Sequence, residues 1–382
     1  MQLNKFKISI FYLLSVAGTI PVIASDPGQD TSYLKIVFAG DIMGHDAQIE
    51  GAYNPQTKSY NYEPTFRYVK PYIESADVAI ANLEVTLAGP PYKGYPQFSS
   101  PDALALEARK AGFDILADAN NHALDGRSKG FARTIKVLDS LKIIHTGTFN
   151  DEQERQLNYP LIFEKNNIRI ALLNCTYGTN GLTIPSPYII DRIDTVQIKE
   201  DLKKARLADP DFVIVFVHWG IEYERTENKQ QDKLAMCFLN NGADAVIGSH
   251  PHVIQPIRKY YRNPADSADY NLVVYSLGNF VSNQRAQYKD GGIVFEMDLM
   301  KTQYKTKVKN YSYLPAWVYR QDNNDKSTFY ILPVQLYLNN RDYFNFPDYI
   351  SYSINRFYED TKAHLSGIPE NTFYKNYILS GQ

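Results

Sequence analysis

The sequence predicts an α/β protein in which helices cover a sheet on both faces. Short apolar runs rich in β-branched residues alternate with longer segments of helical periodicity, a pattern typical of βα units. Of 382 residues, 44% are hydrophobic and 21% are charged, so the chain can form a substantial core. No internal repeat or low-complexity tract breaks this pattern.

The predicted elements alternate along the chain. A helix begins after Ser100 and Pro101, which suit a polar cap and a first turn, and ends at Gly112. Further helices are predicted at residues 129–141, 195–207 and 229–241. The predicted strands cover residues 34–39, 78–81, 113–117, 168–173, 212–217, 245–247, 272–275 and 293–299.

The region 301–382 differs in character from residues 33–300. Strands are predicted at residues 316–319 and 329–338, followed by a helix at 347–365. We expect this C-terminal extension to complete the sheet and to pack its helix on the same core. An independent small domain is the less favoured alternative, because no flexible linker precedes the region. Its one histidine, His364, is expected at the surface.

The N-terminus has the pattern of a secretory signal peptide over residues 1–25. Lys5 and Lys7 precede an apolar run and then a small-residue stretch that would allow cleavage after Ala24. We therefore expect an exported protein, periplasmic or at the cell surface, with an uncleaved anchor as the alternative. Cys175 and Cys237 could form one disulfide or remain two buried thiols, and their apolar neighbours favour thiols.

Charge and composition narrow the range of partners. The 40 basic and 42 acidic side chains give a formal net charge of −2. Binding to nucleic acid or a membrane surface generally needs a basic excess, so we expect no nucleic-acid partner. The 30 tyrosines suit surfaces that bind polymers, but a compositional habit of exported proteins explains them equally well.

Five of the seven histidines fall at or just after predicted strand ends, namely His45, His122, His218, His250 and His252. Histidine is the commonest metal ligand, and strand ends at one edge of an α/β sheet share a crevice. Any one of these histidines alone would more often be structural. Five in the same position favour a metal site. His145 lacks this context and is expected to be structural.

Three further motifs carry polar side chains, and two of them contain one of these histidines. Asp41 precedes His45 at the first strand end, where Gly40 frees the backbone, although Asp41 would also suit a helix cap. Asn82 and Glu84 should share one face by strand alternation, and a buried carboxylate there needs a cation. A further motif contains Asn121, His122 and Asp125. Here Asn121 suits a metal ligand and His122 a proton donor, and Asp125 can orient the His122 ring.

The most specific motif is His250-Pro251-His252. On an extended strand exit the two imidazoles would face the same side, with proline fixing the backbone between them. Five further residues are expected to contact substrate or to shape turns near it: Glu222 and Tyr223 after His218, Ser276 and Asn279 after the next strand, and Asn82 beside Glu84.

Together these motifs resemble the CapA-type family of capsule and poly-γ-glutamate synthesis proteins, which is related to calcineurin-like metallophosphoesterases. The resemblance covers about residues 33–300, and the segments around His250 and Asn279 match best. It implies a layered α/β/β/α sandwich and a site for a divalent metal, expected as two ions of Zn, Mn or Fe. Carried over by motif, the first metal would bind Asp41, Glu84 and His252, and the second Glu84, Asn121, His218 and His250. His122 would be the general acid.

Two features depart from the phosphoesterase pattern. Three residues rather than one separate Asp41 from His45, and Glu84 stands where an aspartate bridges the metals. His45 therefore remains a candidate metal ligand. Alternatively, it could contact the substrate or have no role in the site.

Three functions follow as hypotheses. The first is a metal-dependent hydrolase that cleaves an amide or phosphoester of an anionic envelope polymer or its precursor. The second is an assembly or export factor for such a polymer, working with membrane-bound capsule synthesis partners. The third is a binding module without metal. Arg225, Lys229, Arg285 and Lys289 could favour an anionic substrate, or they could simply be solvated. The loop 177–183 could cover the substrate, or it could be a plain connector.

Overall fold

A computed structural model describes residues 31–323 and 326–379; the predicted signal peptide lies outside these ranges. The strands are β1 (Ser32–Ile42), β2 (Tyr53–Asn54), β3 (Ser59–Tyr60), β4 (Val78–Leu83), β5 (Ile115–Ala117), β6 (Ile144–Thr146), β7 (Thr148–Phe149), β8 (Leu161–Lys165), β9 (Ile168–Thr176), β10 (Ile189–Ile190), β11 (Phe212–His218), β12 (Ala245–Ser249), β13 (Ile257–Tyr261), β14 (Tyr270–Val274), β15 (Asn279–Val281), β16 (Gly291–Lys301), β17 (Thr306–Asn323) and β18 (Lys326–Pro333). The helices are α1 (Asp46–Ala52), α2 (Glu63–Phe66), α3 (Lys70–Ile73), α4 (Asp102–Lys110), α5 (Arg127–Ser140), α6 (Glu152–Asn158), α7 (Thr195–Leu207), α8 (Lys229–Asn240), α9 (Val334–Asn339), α10 (Arg341–Phe344) and α11 (Asp348–His364).

Two large sheets form the centre of the molecule. The eight-stranded sheet has the order β18-β17-β16-β1-β4-β5-β6, with β15 paired to β1, and the six-stranded sheet has the order β13-β14-β12-β11-β9-β8. In the first sheet β1, β4, β5 and β6 run parallel; in the second, β9, β11, β12 and β14 do. Parallel strands buried on both faces explain the near-continuous apolar runs in the sequence.

Strand alternation divides the core between the layers. In β11 the side chains of Phe212, Ile214 and Phe216 join the core between the sheets. Those of Val213, Val215 and Val217 face α7 and α8. Helices α4 and α5 contribute apolar side chains to the core that contains β1 and β4. The result is the expected α/β/β/α sandwich.

The C-terminal residues add strands and a helix to this sandwich. Strands β17 and β18 extend the eight-stranded sheet by antiparallel pairing with β16, and α11 packs against β17 through Ile354 and Phe357. The predicted strand at 329–338 was too long: Pro333 ends β18 and caps α9, since proline cannot continue the ladder but suits a helix start. His364 is half-buried rather than at the surface.

Two further features of the described residues are the state of the cysteines and the apolar character of the helices. Cys175 and Cys237 are both free; Cys175 is buried, whereas Cys237 is only partly so. Within the described ranges, no helix combines the length and apolar character needed to cross a membrane.

Candidate metal centre

The polar side chains at the strand ends of both sheets converge on one buried site. Asp41 lies in β1, in register with Asn82 of β4 and Asn279 of β15. His218 ends β11, beside Ser249 at the end of β12. Because β1 and β4 belong to one sheet and β11 and β12 to the other, the site lies where the carboxyl ends of the two sheets meet.

Gly40 permits this convergence through close approach rather than by ending the strand. β1 continues to Ile42, and its register with β4 shifts between Ala39 and Asp41. A Cβ at Gly40 would lie 1.9 Å from the carbonyl oxygen of Gly278. The Gly278 carbonyl in turn accepts a hydrogen bond from the Asp41 amide at 3.2 Å. The turn before β15 therefore holds Asp41 in place.

Glu84 is the centre of the cluster. Ligand atoms of Glu84, His250 and His252 lie within 4.8 Å of one another, and so do those of Asp41, Glu84 and His218. Both groups contain Glu84, as a residue that bridges two ions would require. The grouping differs from the expected one, because His218 falls with Asp41 and His252 with His250. The two groups touch, since His252 Nδ1 lies 3.0 Å from Asp41 Oδ2.

The described residues leave two buried polar atoms of this cluster without a hydrogen-bonding partner, Glu84 Oε1 and His250 Nδ1. Such orphaned atoms are rare in proteins and are costly unless something binds them. Glu84 Oε1 lies 3.5 Å from His218 Nε2 and 3.7 Å from His252 Nε2. Imidazole nitrogen and carboxylate oxygen without thiolate suit Zn²⁺, Mn²⁺ or iron. The residues therefore fit a divalent cation.

The electrostatics of the cluster also suit a cation. Burial raises the pKa of Glu84 well above its usual range, and the charge of Asp41 adds to this effect. Burial lowers the pKa of His218 and His250 well below the usual value for histidine. Burial opposes the charge of Asp41, but its contacts with His252 and its hydrogen bonds with Asn82 and Glu84 together outweigh burial and lower the pKa. His218 and His250 are thus neutral, which is the form that binds metals.

Asn121 joins the cluster through its side-chain amide. Its Oδ1 lies 2.7 Å from His218 Nε2, and its Nδ2 donates to Asn180 Oδ1 at 3.2 Å. Asn82 Nδ2 donates to Asp41 Oδ1 at 2.8 Å and to Glu84 Oε2 at 3.3 Å. Asn82 and Glu84 therefore share a face, and Asn82 donates to both carboxylates of the cluster.

His122 and Asp125 form a buried dyad beside this cluster. His122 Nδ1 lies 2.7 Å from Asp125 Oδ2, which also accepts a hydrogen bond from the Phe98 amide at 2.7 Å. The Phe98 ring packs edge-on against His122 with centroids 4.6 Å apart. A carboxylate on Nδ1 fixes the tautomer and leaves Nε2 for chemistry. The structure thus places Asp125 in contact with the His122 ring.

The His250-Pro251-His252 segment does not have the extended backbone that we expected. His250 has φ of 100° and His252 has φ of 58°, both in the left-handed region, directly after β12. Their rings still converge, with centroids 5.9 Å apart. Non-glycine residues in this region are strained, and such strain clusters at functional sites.

His45 does not join either ligand group among the described residues. It stands at the N-cap of α1, where its Nδ1 lies 3.1 Å from Gln48 Oε1 and 3.2 Å from the Asn283 amide. Its ring packs edge-on against Phe98, 5.3 Å away. The longer spacing from Asp41 explains this position, because the turn carries the histidine past the metal ligands to the helix start.

The predicted substrate residues divide into two sets. Tyr223 lies 6.2 Å from His252 between ring centroids, with exposed Glu222 next to it. Asn279 is fully buried and donates to the carbonyl oxygens of His252 and Lys289, and Ser276 Oγ accepts from the Gly278 amide. These last two position the backbone around the site.

The guanidinium groups of Arg225 and Arg285 bond the C-terminal extension, which corrects the expectation that they contact substrate. Arg225 lies over the Tyr288 ring and donates to the Asp360 carbonyl of α11. Arg285 donates to the Val318 carbonyl of β17 at 2.7 Å. Both therefore join the site loops to the C-terminal extension, which the sequence could not show because their partners are distant along the chain.

Tyr177 is a site residue that the histidine pattern alone does not reveal. Its ring lies 4.5 Å from that of His250 and 6.3 Å from that of His218. The loop 177–183 also contacts Asn121 through Asn180. The loop therefore covers one side of the cluster. Its position directly after β9, beside β11, was the available signal.

The fold and the site together define a layered α/β/β/α sandwich protein with a candidate metal centre between two sheets. Residues 35–284 match the protein family described as "Bacterial capsule synthesis protein PGA_cap". The chain belongs to this family.

Curated relatives include two capsule proteins. The chain is 28% identical over 280 residues to the capsule biosynthesis protein CapA of Bacillus anthracis, covering 70% of this chain and 64% of that protein. It is 29% identical over 272 residues to the PGA biosynthesis protein CapA of Bacillus subtilis, covering 66% and 64%. The chain thus spans a little under two thirds of these relatives.

Solved structures with a similar arrangement include two phosphoesterases. Calcineurin-like phosphoesterase YfkN of Bacillus subtilis has a TM-score of 0.45 at 13% identity, covering 87% of this chain and 99% of that one. A phosphatase of Mycoplasma pneumoniae has a TM-score of 0.41 at 16% identity, covering 75% and 94%.

Proposed function

We propose that this protein is a metal-dependent hydrolase that acts outside the cytoplasm on an anionic capsule polymer of the poly-γ-glutamate type, or on its precursor. The bond cleaved would be an amide or a phosphoester. The observation that carries this proposal is Glu84 Oε1, an unpartnered carboxylate oxygen at the centre of a buried histidine cluster. A bound cation would give this oxygen the partner that it otherwise lacks, whereas a binding module without metal would leave it unpaired.

Six side chains would hold the divalent ions: Asp41, Glu84, Asn121, His218, His250 and His252. When bound, the ions would act as Lewis acids that polarise the scissile group and stabilise the negative charge that develops on it. Asn82 keeps Asp41 oriented by its 2.8 Å hydrogen bond, and Ser249 Oγ, 2.9 Å from His218 Nδ1, fixes the His218 ring. Supporting contacts of this kind are important for metal affinity.

The His122–Asp125 dyad would supply the proton. Asp125 would accept a hydrogen bond from Nδ1–H and stabilise the charged imidazolium, so that the Nε2 proton can be donated to the leaving group. The almost complete burial of both side chains keeps competing water from the pair. This role is the one that the family resemblance implies for His122.

Export and partners belong to the same proposal. A signal peptide at residues 1–25 would deliver the protein to the periplasm or the cell surface, where such a polymer is assembled. The relatives named as capsule and PGA biosynthesis proteins support a role in capsule biosynthesis, and membrane-bound capsule synthesis partners are part of the proposal. A net charge of −2 gives no support to a nucleic-acid partner.

The test measures metal content together with turnover. Purified protein is analysed for bound Zn, Mn and Fe and assayed on aryl phosphoesters and γ-glutamyl anilides, with and without chelator. Glu84→Gln should lose metal and turnover. The control is Glu296→Gln, which changes a carboxylate outside the cluster that accepts a hydrogen bond from Tyr72. This variant should keep both its metal and its turnover. Wild-type protein without bound metal, or without chelator-sensitive turnover, would favour the polymer-binding alternative.

A further inference from the structure

Two half-exposed tyrosines flank the buried histidines. Tyr177 is 45% exposed and lies 4.5 Å from His250 between ring centroids. Tyr223 is 46% exposed and lies 6.2 Å from His252. The two histidines are only 3% and 2% exposed. The tyrosine rings therefore stand between the metal cluster and solvent, where a substrate must pass.

The backbone holds both tyrosines in these positions. The Tyr177 amide donates to the His218 carbonyl at 2.9 Å, and the Tyr223 amide donates to the Pro251 carbonyl at 2.8 Å. Tyr223 has φ of 70°, a left-handed conformation that is strained for a non-glycine residue. The structure retains this strain at a residue whose ring is half in solvent, so core packing does not account for it.

The rim carries charges of both signs. The Lys289 ammonium lies 4.0 Å from the centroid of the Tyr223 ring, and its backbone is anchored by Asn279. Glu222 adjoins Tyr223 and is exposed. A cation held over an aromatic ring at the edge of a metal site is placed to meet an anionic group of a substrate.

We propose that Tyr177, Tyr223 and Lys289 form a substrate-binding rim that selects a carboxylate-bearing chain. Lys289 binds a side-chain carboxylate, while the two rings pack against the apolar part of the chain. Glu222 opposes this binding and limits where the carboxylate can lie. The inference rests on the proposed function for the substrate class, and it deepens that function by naming the residues that recognise the polymer.

The experiment measures binding by fluorescence anisotropy on metal-loaded protein, independently of turnover. The probes are a labelled γ-linked glutamate pentamer and the corresponding neutral glutamine pentamer. Lys289→Gln should weaken binding of the glutamate pentamer up to about fivefold and leave the glutamine pentamer unchanged. Tyr177→Ala and Tyr223→Ala should weaken both pentamers by about tenfold, and phenylalanine at either position should restore most of the loss. Glu222→Gln should strengthen binding of the glutamate pentamer.

A matched lysine–tyrosine pair at the opposite end of β1 provides the control. Lys309 lies 4.3 Å from the Tyr33 ring, and Tyr33 is 49% exposed. Lys309→Gln and Tyr33→Ala should leave binding unchanged. The proposal is overturned if wild-type protein does not prefer the glutamate pentamer, or if Lys289→Gln behaves like Lys309→Gln. The proposed hydrolase fails on a different result, the absence of metal-dependent turnover, so the two outcomes can be told apart.

Discussion

Replacing Asp125 by asparagine tests the His122 dyad most directly. Asp125 Oδ2 accepts two hydrogen bonds of 2.7 Å, from His122 Nδ1 and from the Phe98 amide. Asparagine can place its own oxygen at the same point but lacks the negative charge. A hydrogen bond to a charged group contributes about 1.5–3 kcal/mol, and a neutral one about 0.5–1.5 kcal/mol. The substitution should therefore remove about 1–2 kcal/mol of support for the protonated ring.

If that loss appears in the transition state, turnover should fall about 5- to 30-fold. The fall should depend on the leaving group, because a proton donor matters only where the leaving oxygen is basic. Phenol has a pKa of about 10, whereas nitrophenol is a better leaving group. Asp125→Asn should therefore slow hydrolysis of the phenyl phosphoester strongly and that of the nitrophenyl phosphoester little. The measurement is kcat for a series of aryl phosphoesters, with bound metal quantified in each sample.

The control is a second buried aspartate–histidine pair outside the site. Asp118 Oδ2 lies 2.9 Å from His145 Nδ1, so Asp118→Asn makes the same chemical change elsewhere. That variant should lose stability without changing the dependence on the leaving group. An equal loss on all esters in Asp125→Asn, at unchanged metal content, would refute the proton-donor role of His122. The role of Asp125 would then be structural.

Three further changes have defined outcomes. Gly40→Ala places a Cβ 1.9 Å from the Gly278 carbonyl, so it should lower the free energy of unfolding by about 1–3 kcal/mol and reduce bound metal, as chemical denaturation and metal analysis would show. Arg155 forms hydrogen bonds with two buried carboxylates, those of Asp191 and Asp201, each at 2.6 Å. Arg155→Met leaves both carboxylates unpaired, so it should lower the free energy of unfolding by about 3–5 kcal/mol in the same denaturation assay. Burial opposes the charge of His145, but its carboxylate partners raise its pKa to about 10. The stabilisation by protonated His145 is therefore complete below about pH 6.5 and disappears as the pH rises through about 10. The free energies of unfolding of the wild type and His145→Gln should therefore differ most near pH 6 and converge towards pH 10.

The sequence predicted the site best where one strand determined the outcome. Asn82 and Glu84 share a face because side chains alternate along an extended chain, and His218 reaches the site because it ends a buried strand. The parallel arrangement then brings such strand ends together without further information. These inferences needed only local backbone geometry and the general behaviour of α/β sheets.

Predictions that depended on distant partners or unusual backbone were less successful. Pro251 suggested an extended segment, yet His250 and His252 adopt left-handed conformations that no residue type in the motif requires. The guanidinium of Arg285 was predicted to bind substrate, but a carbonyl 33 residues further along the chain accepts its hydrogen bond. Composition and spacing do not encode such contacts, because they arise only when the C-terminal extension packs against the site loops.

The position of the candidate centre has a consequence for how the core supports it. Asp41 and Glu84 come from the eight-stranded sheet, whereas His218 and His250 come from the six-stranded sheet. The distance between these two sets depends on how the sheets pack, and Phe38 meets Phe216 edge-to-face between them, with centroids 6.2 Å apart. Phe38 lies three residues before Asp41 on β1, and Phe216 two residues before His218 on β11. Because protein cores transmit small changes in volume, the apolar layer between the sheets sets the spacing of the candidate ligands and supports the candidate metal centre.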